Sequence, residues 1–251
     1  MHSLVTESGT RRKLHFAHAY GYAGAVAQLL RFPEGRGNLV QWIDTKSPTF
    51  RAALLRPEKR SVLHDLLYHL AHFDWDHEIT HWYLNSLDRF FWDHGERIPE
   101  KLRRDTDGNR DKLSRRLEKP LAKLADAAFH LLFADRSALL GFNELLAGVI
   151  RQLPISQFPE LRKPGIVRRP SYVPAWLKRA VYHRDKGRCQ ACHRDLTGVI
   201  NPVSDAQVDH MWPLAQSGSN DATNFQLLCS SCNARKAAGR GITSEQYYAY
   251  W

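Results

Sequence analysis

The chain is poor in cysteine. Its 251 residues carry four, in two Cys-x-x-Cys pairs, Cys189/Cys192 and Cys229/Cys232, so none is left over for a disulfide framework. There is no charged-then-apolar leader between Met1 and Lys13 and no apolar run long enough to cross a bilayer. Those absences exclude a disulfide-stapled secreted scaffold and a helical membrane protein, and predict a soluble chain in the reducing cytoplasm. Fixed-period repeats and low-complexity tracts are missing as well, which excludes solenoids and compositionally disordered tails. Acidic residues are in short supply, with 26 Asp and Glu against 36 Lys and Arg, a formal charge of +10. A polyanionic partner fits that excess. From Pro164 to Trp251 eleven Lys/Arg stand against six Asp/Glu, a net +5, so the other +5 belongs to the longer first part and the C-terminal part is the more basic per residue.

The residues that are present divide into three groups. Amphipathic stretches near Arg11 to Phe32, Phe50 to Leu55, Ser61 to Phe73, Glu78 to His94, Leu113 to Phe133 and Ala138 to Leu153 predict a helical domain over residues 1–153. Pro and Gly clusters such as Phe32-Pro33-Glu34-Gly35-Arg36-Gly37 punctuate it. Pro154, Pro159, Pro164 and Pro170, interleaved with Lys and Arg, mark a basic connector over 154–170, expected to be extended and semi-rigid. Ser171 to Asp185 reads as one more helix, with Pro174 in the first turn and Gly187 as its stop, packing on the Cys189/Cys192 knuckle. Its Lys178, Arg179 and Arg184 either line an approach for the polyanion or form a solvated face.

The two cysteine pairs are the strongest chemical signal. Each two-residue spacing lets one tight knuckle present two thiolates to a tetrahedral ion, and two knuckles complete a closed four-sulfur zinc site. Such a site is structural, and its four thiolates with one zinc add a charge of about −2.

Between the pairs run Val208-Asp209-His210-Met211-Trp212-Pro213, then Ser217-Gly218-Ser219-Asn220-Asp221-Ala222-Thr223-Asn224-Phe225-Gln226-Leu227-Leu228, then Cys229-Ser230-Ser231-Cys232-Asn233-Ala234-Arg235-Lys236. This order resembles the HNH endonuclease family in its zinc-stapled form: a strand ending in Asp-His, a Gly- and Asn-containing loop, an Asn before a Leu-rich strand, and a helix bearing the last His or Asn directly after the second pair. The resemblance covers about the last third of the chain and implies a small α+β, treble-clef-like ββα-metal domain over 171–251. Two departures stand out: the third position of the motif is Asn233 rather than His, and Ser217-Gly218 replaces Gly-Gly. Neither removes a chemical role, because an amide oxygen can ligate a hard cation and one Gly still permits a tight turn.

Hydrolysis of a phosphodiester needs an activated water, a cation against the charge that builds on phosphate and leaving oxygen, and fixed geometry. His210 suits the first need, since a neutral imidazole takes a proton near pH 7. Asp209 and the Asn233 side-chain oxygen suit the second, with Mg²⁺ or Mn²⁺ as the hard cation. Asn224 is expected to brace the backbone around His210, and Arg235 and Lys236 to meet the DNA phosphates. Singly, each has a plainer reading: Asn224 as a turn cap, Arg235 and Lys236 as a solvated helix face. The rival from another class is a non-catalytic zinc-stapled module that binds DNA without cutting it.

The helical part holds two further patterns. His77-Glu78-Ile79-Thr80-His81 spells the His-Glu-x-x-His of a zinc metalloprotease, but it lies in a His-rich segment with no extended continuation, so an aromatic helix pair with His at its polar edge is the stronger reading. Asp105 to Asp111 looks like a calcium loop, yet Arg110 stands where Gly is needed and Arg116 where Glu is needed, which makes it a plain loop. An HNH domain joined to an unrelated helical region also resembles effectors of bacterial phage-defence systems, including the HNH component of Zorya-type systems. That likeness implies protein partners of a defence complex, docked through the helical part. The C-terminal Ile242 to Trp251, with Tyr247, Tyr248, Tyr250 and Trp251, is a candidate docking patch whose plainer reading is packing back on the core.

Overall fold

The computed structural model describes residues 18–198, 205–236, 239 and 243–244. The expectations for Met1 to Lys13 and for the aromatic C-terminal patch lie outside the described residues, apart from Thr243 and Ser244. No helix among the described residues is long and apolar enough to cross a membrane.

A mostly helical N-terminal region is followed by a small strand-containing C-terminal one. In order come α1 (Ala19–Arg31), α2 (Pro33–Leu39), α3 (Pro48–Leu55), α4 (Val62–Thr80), α5 (Leu84–Asp93), α6 (Asp107–Ala134) and α7 (Arg136–Arg151). The strands β1 (Leu161–Lys163) and β2 (Ile166–Val167) come next, then α8 (Ala175–Arg184), β3 (Ala206–His210), β4 (Phe225–Cys229) and α9 (Ser230–Lys236). Side-chain caps start several helices. Ser47 accepts from the Phe50 N–H, Thr106 from Asn109 and Asp135 from Ala138, each satisfying a donor the helix cannot. Ser61 and His64 form a reciprocal capping box at the head of α4.

Three local outcomes differ from the sequence expectation. The Pro-Gly cluster at 32–37 is a short helix rather than a loop, because Pro33 occupies the first helical position, where its fixed φ helps and its missing N–H costs nothing. The stretch Glu78 to His94 is broken in two. Trp82 adopts the left-handed conformation (φ 57), and the N–H groups of Trp82 and Tyr83 turn back to the carbonyls of Ile79 and Glu78, closing α4 in a Schellman motif. The calcium-like segment serves as the start of α6, with Arg110 chelating Asp105 through Nε and Nη2.

The connector carries structure. β1 and β2 pair antiparallel, and Phe158, Leu161 and Val167 are buried in the same apolar cluster as Leu30, Phe50, Leu63 and Phe142 of the helices. The segment expected to be extended is therefore a hairpin held on the helical core by apolar burial.

The C-terminal region has its own small core of Leu177, Val181, Leu196, Phe225, Leu227 and Leu228, with three of the cysteines. It is also sewn to the helices by buried polar groups. Asp185, 2% exposed, accepts from the Leu227 N–H at 2.8 Å and pairs with Arg184 at 2.7 Å; Arg136 of α7 lies 3.9 Å away. Arg184 stacks over Phe133 of α6 and donates to the Phe225 carbonyl. Removing one partner of such a buried set leaves uncompensated charge. Asp185→Ala is expected to cost about 3–5 kcal/mol of stability, read as a lower midpoint in denaturant unfolding; a loss within the range of an exposed ion pair, below about 1 kcal/mol, would refute that role.

Candidate active site and zinc centre

Two short elements set the site. β3 and β4 pair antiparallel with Asp209 opposite Gln226 and His210 opposite Phe225, and α9 follows β4 directly. Because side chains alternate along a strand, Gln207 and Asp209 share a face, and α9 covers that face. Asn233 and Lys236 lie three apart on the helix, hence on one side of it. The two pairs interlock: Asn233 Nδ2 donates to Gln207 Oε1 at 2.5 Å, and the Lys236 ammonium donates to Asp209 Oδ2 at 2.5 Å.

His210 is 4% exposed and packs its ring on Phe225 with centroids 4.4 Å apart. Its Nε2 lies 3.1 Å from Oδ1 of Asn220. The Asn220 amide nitrogen is committed to the carbonyls of Leu54, Leu55 and Arg168, so its oxygen is the acceptor and His210 must donate from Nε2. That fixes the tautomer, leaving the lone pair on Nδ1. Burial pushes the His210 pKa down to about 4, against the opposing pull of the Asn220 bond and the Asp209 charge; Arg169 and Lys236 add to the depression. The ring is neutral at physiological pH.

Asn224 is fully buried. Its Oδ1 accepts from the Trp212 N–H at 2.8 Å, and its Nδ2 donates to the carbonyls of Trp212 and Ser219. These bonds clamp the loop that leaves His210 against the loop that returns to β4. Within it, Ser217 takes the left-handed conformation (φ 67). A Cβ on Gly218 would lie 2.3 Å from the Trp212 carbonyl oxygen, so here the second position of the expected Gly-Gly is the indispensable one.

Asp209, His210, Asn233 and Lys236 line one groove of about 540 Å³, with Arg162, Lys163 and Arg169 on its other side. The Asp209 carboxylate and the His210 carbonyl converge on a single cation, the Lys236 ammonium, which occupies the kind of oxygen-lined position a hard divalent ion takes. Asn233 lines the same groove, and with its amide nitrogen given to Gln207 its side-chain oxygen is an atom of the kind that, like the Asp209 carboxylate, suits a hard cation.

Two residues expected to meet phosphate have partners within the protein. Lys236 is buried against Asp209, since an ammonium on that helix face is nearer to the carboxylate than to solvent. Arg235, one position before it, points to the other side of α9 and donates to the Cys232 sulfur at 3.1 Å. Asn220, by contrast, has a role that sequence reasoning misses. Nothing in its spacing marks it, because its partners come from three separate segments.

The four cysteine sulfurs all lie within 4.8 Å of one another, and among the described residues they are the one cluster of three or more His, Cys, Asp or Glu side chains close enough to share a metal ion. Cys192 and Cys229 sulfurs are 3.8 Å apart. A tetrahedral zinc with bonds of about 2.3 Å requires sulfur edges of about 3.8 Å, so the cage has the right size. Burial pushes the Cys232 thiol up to about 12. Cys189 is also raised by burial, but backbone hydrogen bonds at Cys192, Cys229 and Ala191 outweigh that and bring it down to about 7. His77 and His81, of the protease-like pattern, stack on each other at 4.0 Å, and the His81 Nδ1 meets the His77 carbonyl where α4 ends; no third ligand joins them among the described residues.

A zinc ion in this cage would join β4 and α9 to the knuckle at Cys189, so removing its ligands should unfold the region that carries the groove. Cys229→Ser is expected to lose zinc by metal analysis and to fall sharply in soluble yield and melting temperature. A soluble, fully active, zinc-free Cys229→Ser protein would show the cage to be dispensable.

No curated protein and no solved structure matches the chain. Residues 189–239 match the family model described as HNH endonuclease. The match begins at the first zinc-knuckle cysteine and encloses Asp209, His210, Asn220, Asn224 and Asn233, so this chain carries, in its C-terminal region, a domain of the HNH endonuclease family.

Proposed function

We propose that the chain is a metal-dependent endonuclease that hydrolyses phosphodiester bonds in DNA. The observation that carries this reading is the fixed tautomer of His210, whose Nδ1 lone pair is free for chemistry while Nε2 is tied to Asn220. In the proposed reaction His210 Nδ1 takes the proton of the attacking water; burial keeps the ring neutral beforehand, so the lone pair is present at the start of the step. Asp209 and the Asn233 side-chain oxygen hold Mg²⁺ or Mn²⁺, which supplies positive charge for the phosphate and the departing oxygen. Lys236 orients the Asp209 carboxylate, and Asn224 holds the backbone on both sides of the reacting groups by bonds to Trp212 and Ser219. Zinc in the four-cysteine cage is structural and takes no part in the chemistry.

The rival reading, a zinc-stapled module that binds DNA without cutting it, accounts for the cage and the charge. It gives no reason for a buried imidazole held by one nitrogen beside a carboxylate. His210→Ala is expected to reduce cleavage by about 10²–10⁴-fold or more, with zinc content and DNA binding near those of the unaltered protein. Cleavage at the original rate would overturn the mechanism, and absence of cleavage by the unaltered protein in Mg²⁺ and in Mn²⁺ would favour the rival.

One base and one divalent-metal site per chain attack one strand per engagement, so the proposed outcome is a nick. Supercoiled plasmid should pass first to the open-circular form, with linear DNA appearing later, from a protein that is mainly monomeric by light scattering. Linear product without a nicked precursor, from a stable dimer, would refute this. A role in phage defence, with the helical region docking other proteins of a defence complex, extends the reading; its support is the architectural likeness alone.

A further inference from the structure

The groove has a second wall that the family motif does not include. From Arg151 to Arg179 the sequence holds seven Lys and Arg and one acidic residue, Glu160, which is taken up by Arg51 at 2.6 Å. Arg162, Lys163, Arg168 and Arg169 are all exposed, and among the described residues none has an acidic partner. In the helical region pairing is the commoner state: Arg31, Arg36, Arg60, Arg103 and Arg110 each face a carboxylate within 3 Å, although Arg97, Arg104, Arg115 and Arg151 have no acidic partner among the described residues. Leaving four like charges unpaired on one short hairpin repels the folded chain against itself unless an anion fills the gap.

The hairpin is also fixed in place. Gly165 turns it with φ +67, and a Cβ there would approach the Arg151 backbone at 3.1 Å, so the turn sits directly on the end of α7. Leu161 and Val167 anchor it in the core. The Arg168 carbonyl accepts from Asn220 Nδ2 at 2.9 Å, and the oxygen of that same Asn220 holds His210 Nε2. One amide thus sets the imidazole and the chain bearing Arg169 relative to each other. Arg162, Lys163 and Arg169 all reach the groove that holds Asp209, His210 and Asn233.

We propose that the β1–β2 hairpin and the arginine pair directly after it are the phosphate-binding wall of the site: Arg162, Lys163 and Arg169 grip the backbone of the DNA strand beside the bond to be cut. The task expected of Arg235 and Lys236 falls to these residues. Guanidinium groups suit it because they present forked donors to phosphate oxygens, and backbone contacts of this kind place a strand without reading its bases. This inference rests on the nuclease reading for the identity of the polyanion and for which bond is cut; the binding it asserts does not require cleavage.

The test therefore measures binding in a cleavage-dead background. Full-length His210→Ala protein, zinc-loaded and without added Mg²⁺ or Mn²⁺, is titrated with a fluorescent DNA duplex over a series of salt concentrations, and compared with the same protein carrying Arg162→Gln, Lys163→Gln and Arg169→Gln. The Gln substitutions keep polar side chains on an exposed surface, and equal zinc content and melting temperature establish that the hairpin is intact. Loss of three phosphate contacts should weaken binding by at least about tenfold and flatten the dependence of log K on log salt by about 2–3. Arg89→Gln, an exposed and acid-paired position on α5, should change neither. Affinity within about twofold with an unchanged salt slope overturns the proposal, as does a His210→Ala protein that binds no DNA. If the unaltered chain fails to cut DNA while the hairpin substitutions still abolish binding, the nuclease reading falls and the wall stands.

Discussion

The whole arrangement hangs on the loop from Ser217 to Asn224, which is buried almost throughout and meets its hydrogen-bonding needs with groups from both regions. A buried amide or carboxylate without partners costs about 1–3 kcal/mol each, so every polar group in this loop has to find one. Asn220 finds the carbonyls of Leu54, Leu55 and Arg168 and the His210 ring, and its N–H donates to Ala53. Asp221 caps the head of α4 through the Val62 N–H and holds Thr223 by hydroxyl and N–H, and Thr223 in turn meets Asn143 of α7. The helices behind the site are thereby part of what positions its base.

This changes the meaning of the chain's division. A helical region, a connector and a zinc-stapled region are distinct in composition, but Met211 is buried in the helical core, one residue after His210. Arg136 reaches Asp185 and the Ser244 carbonyl from α7. Hydrogen bonds of this density oppose a free swing of the C-terminal region about the connector. The connector, folded as a hairpin, is placed to act on substrate instead of serving as a tether.

Charge is distributed to match. On the helices arginines are largely neutralised by neighbouring carboxylates, while Arg162, Lys163 and Arg169, which have no acidic partner among the described residues, line the groove. Inside the groove the buried Lys236 ammonium faces Asp209. A polyanion drawn to the hairpin would meet the carboxylate already compensated, whether by Lys236 or by a divalent ion, and that compensation is a condition for bringing a phosphate close to Asp209.

The zinc cage, the Asp209-His210 pair, Asn224 and Asn233 were legible in the sequence because each depends on short-range spacing: two residues between paired thiols, alternation along β3, one helix turn along α9. The helices of residues 18–151 were legible for the same reason, as apolar periodicity, although the Schellman stop at Trp82 and the Pro-started α2 depend on local backbone detail that periodicity does not carry. Three things were decided only by tertiary structure. Asn220 became the partner of His210 because residues 54, 55, 168 and 210 meet there, and no linear pattern encodes a junction of four segments. Lys236 and Arg235 gained partners inside the protein, Asp209 and Cys232, since which side of a short helix faces a carboxylate or a sulfur is set by how α9 packs. The connector became a wall of the groove because burying Phe158, Leu161 and Val167 is worth more than extension in water, and that gain exists only once the helices have assembled a core to receive them.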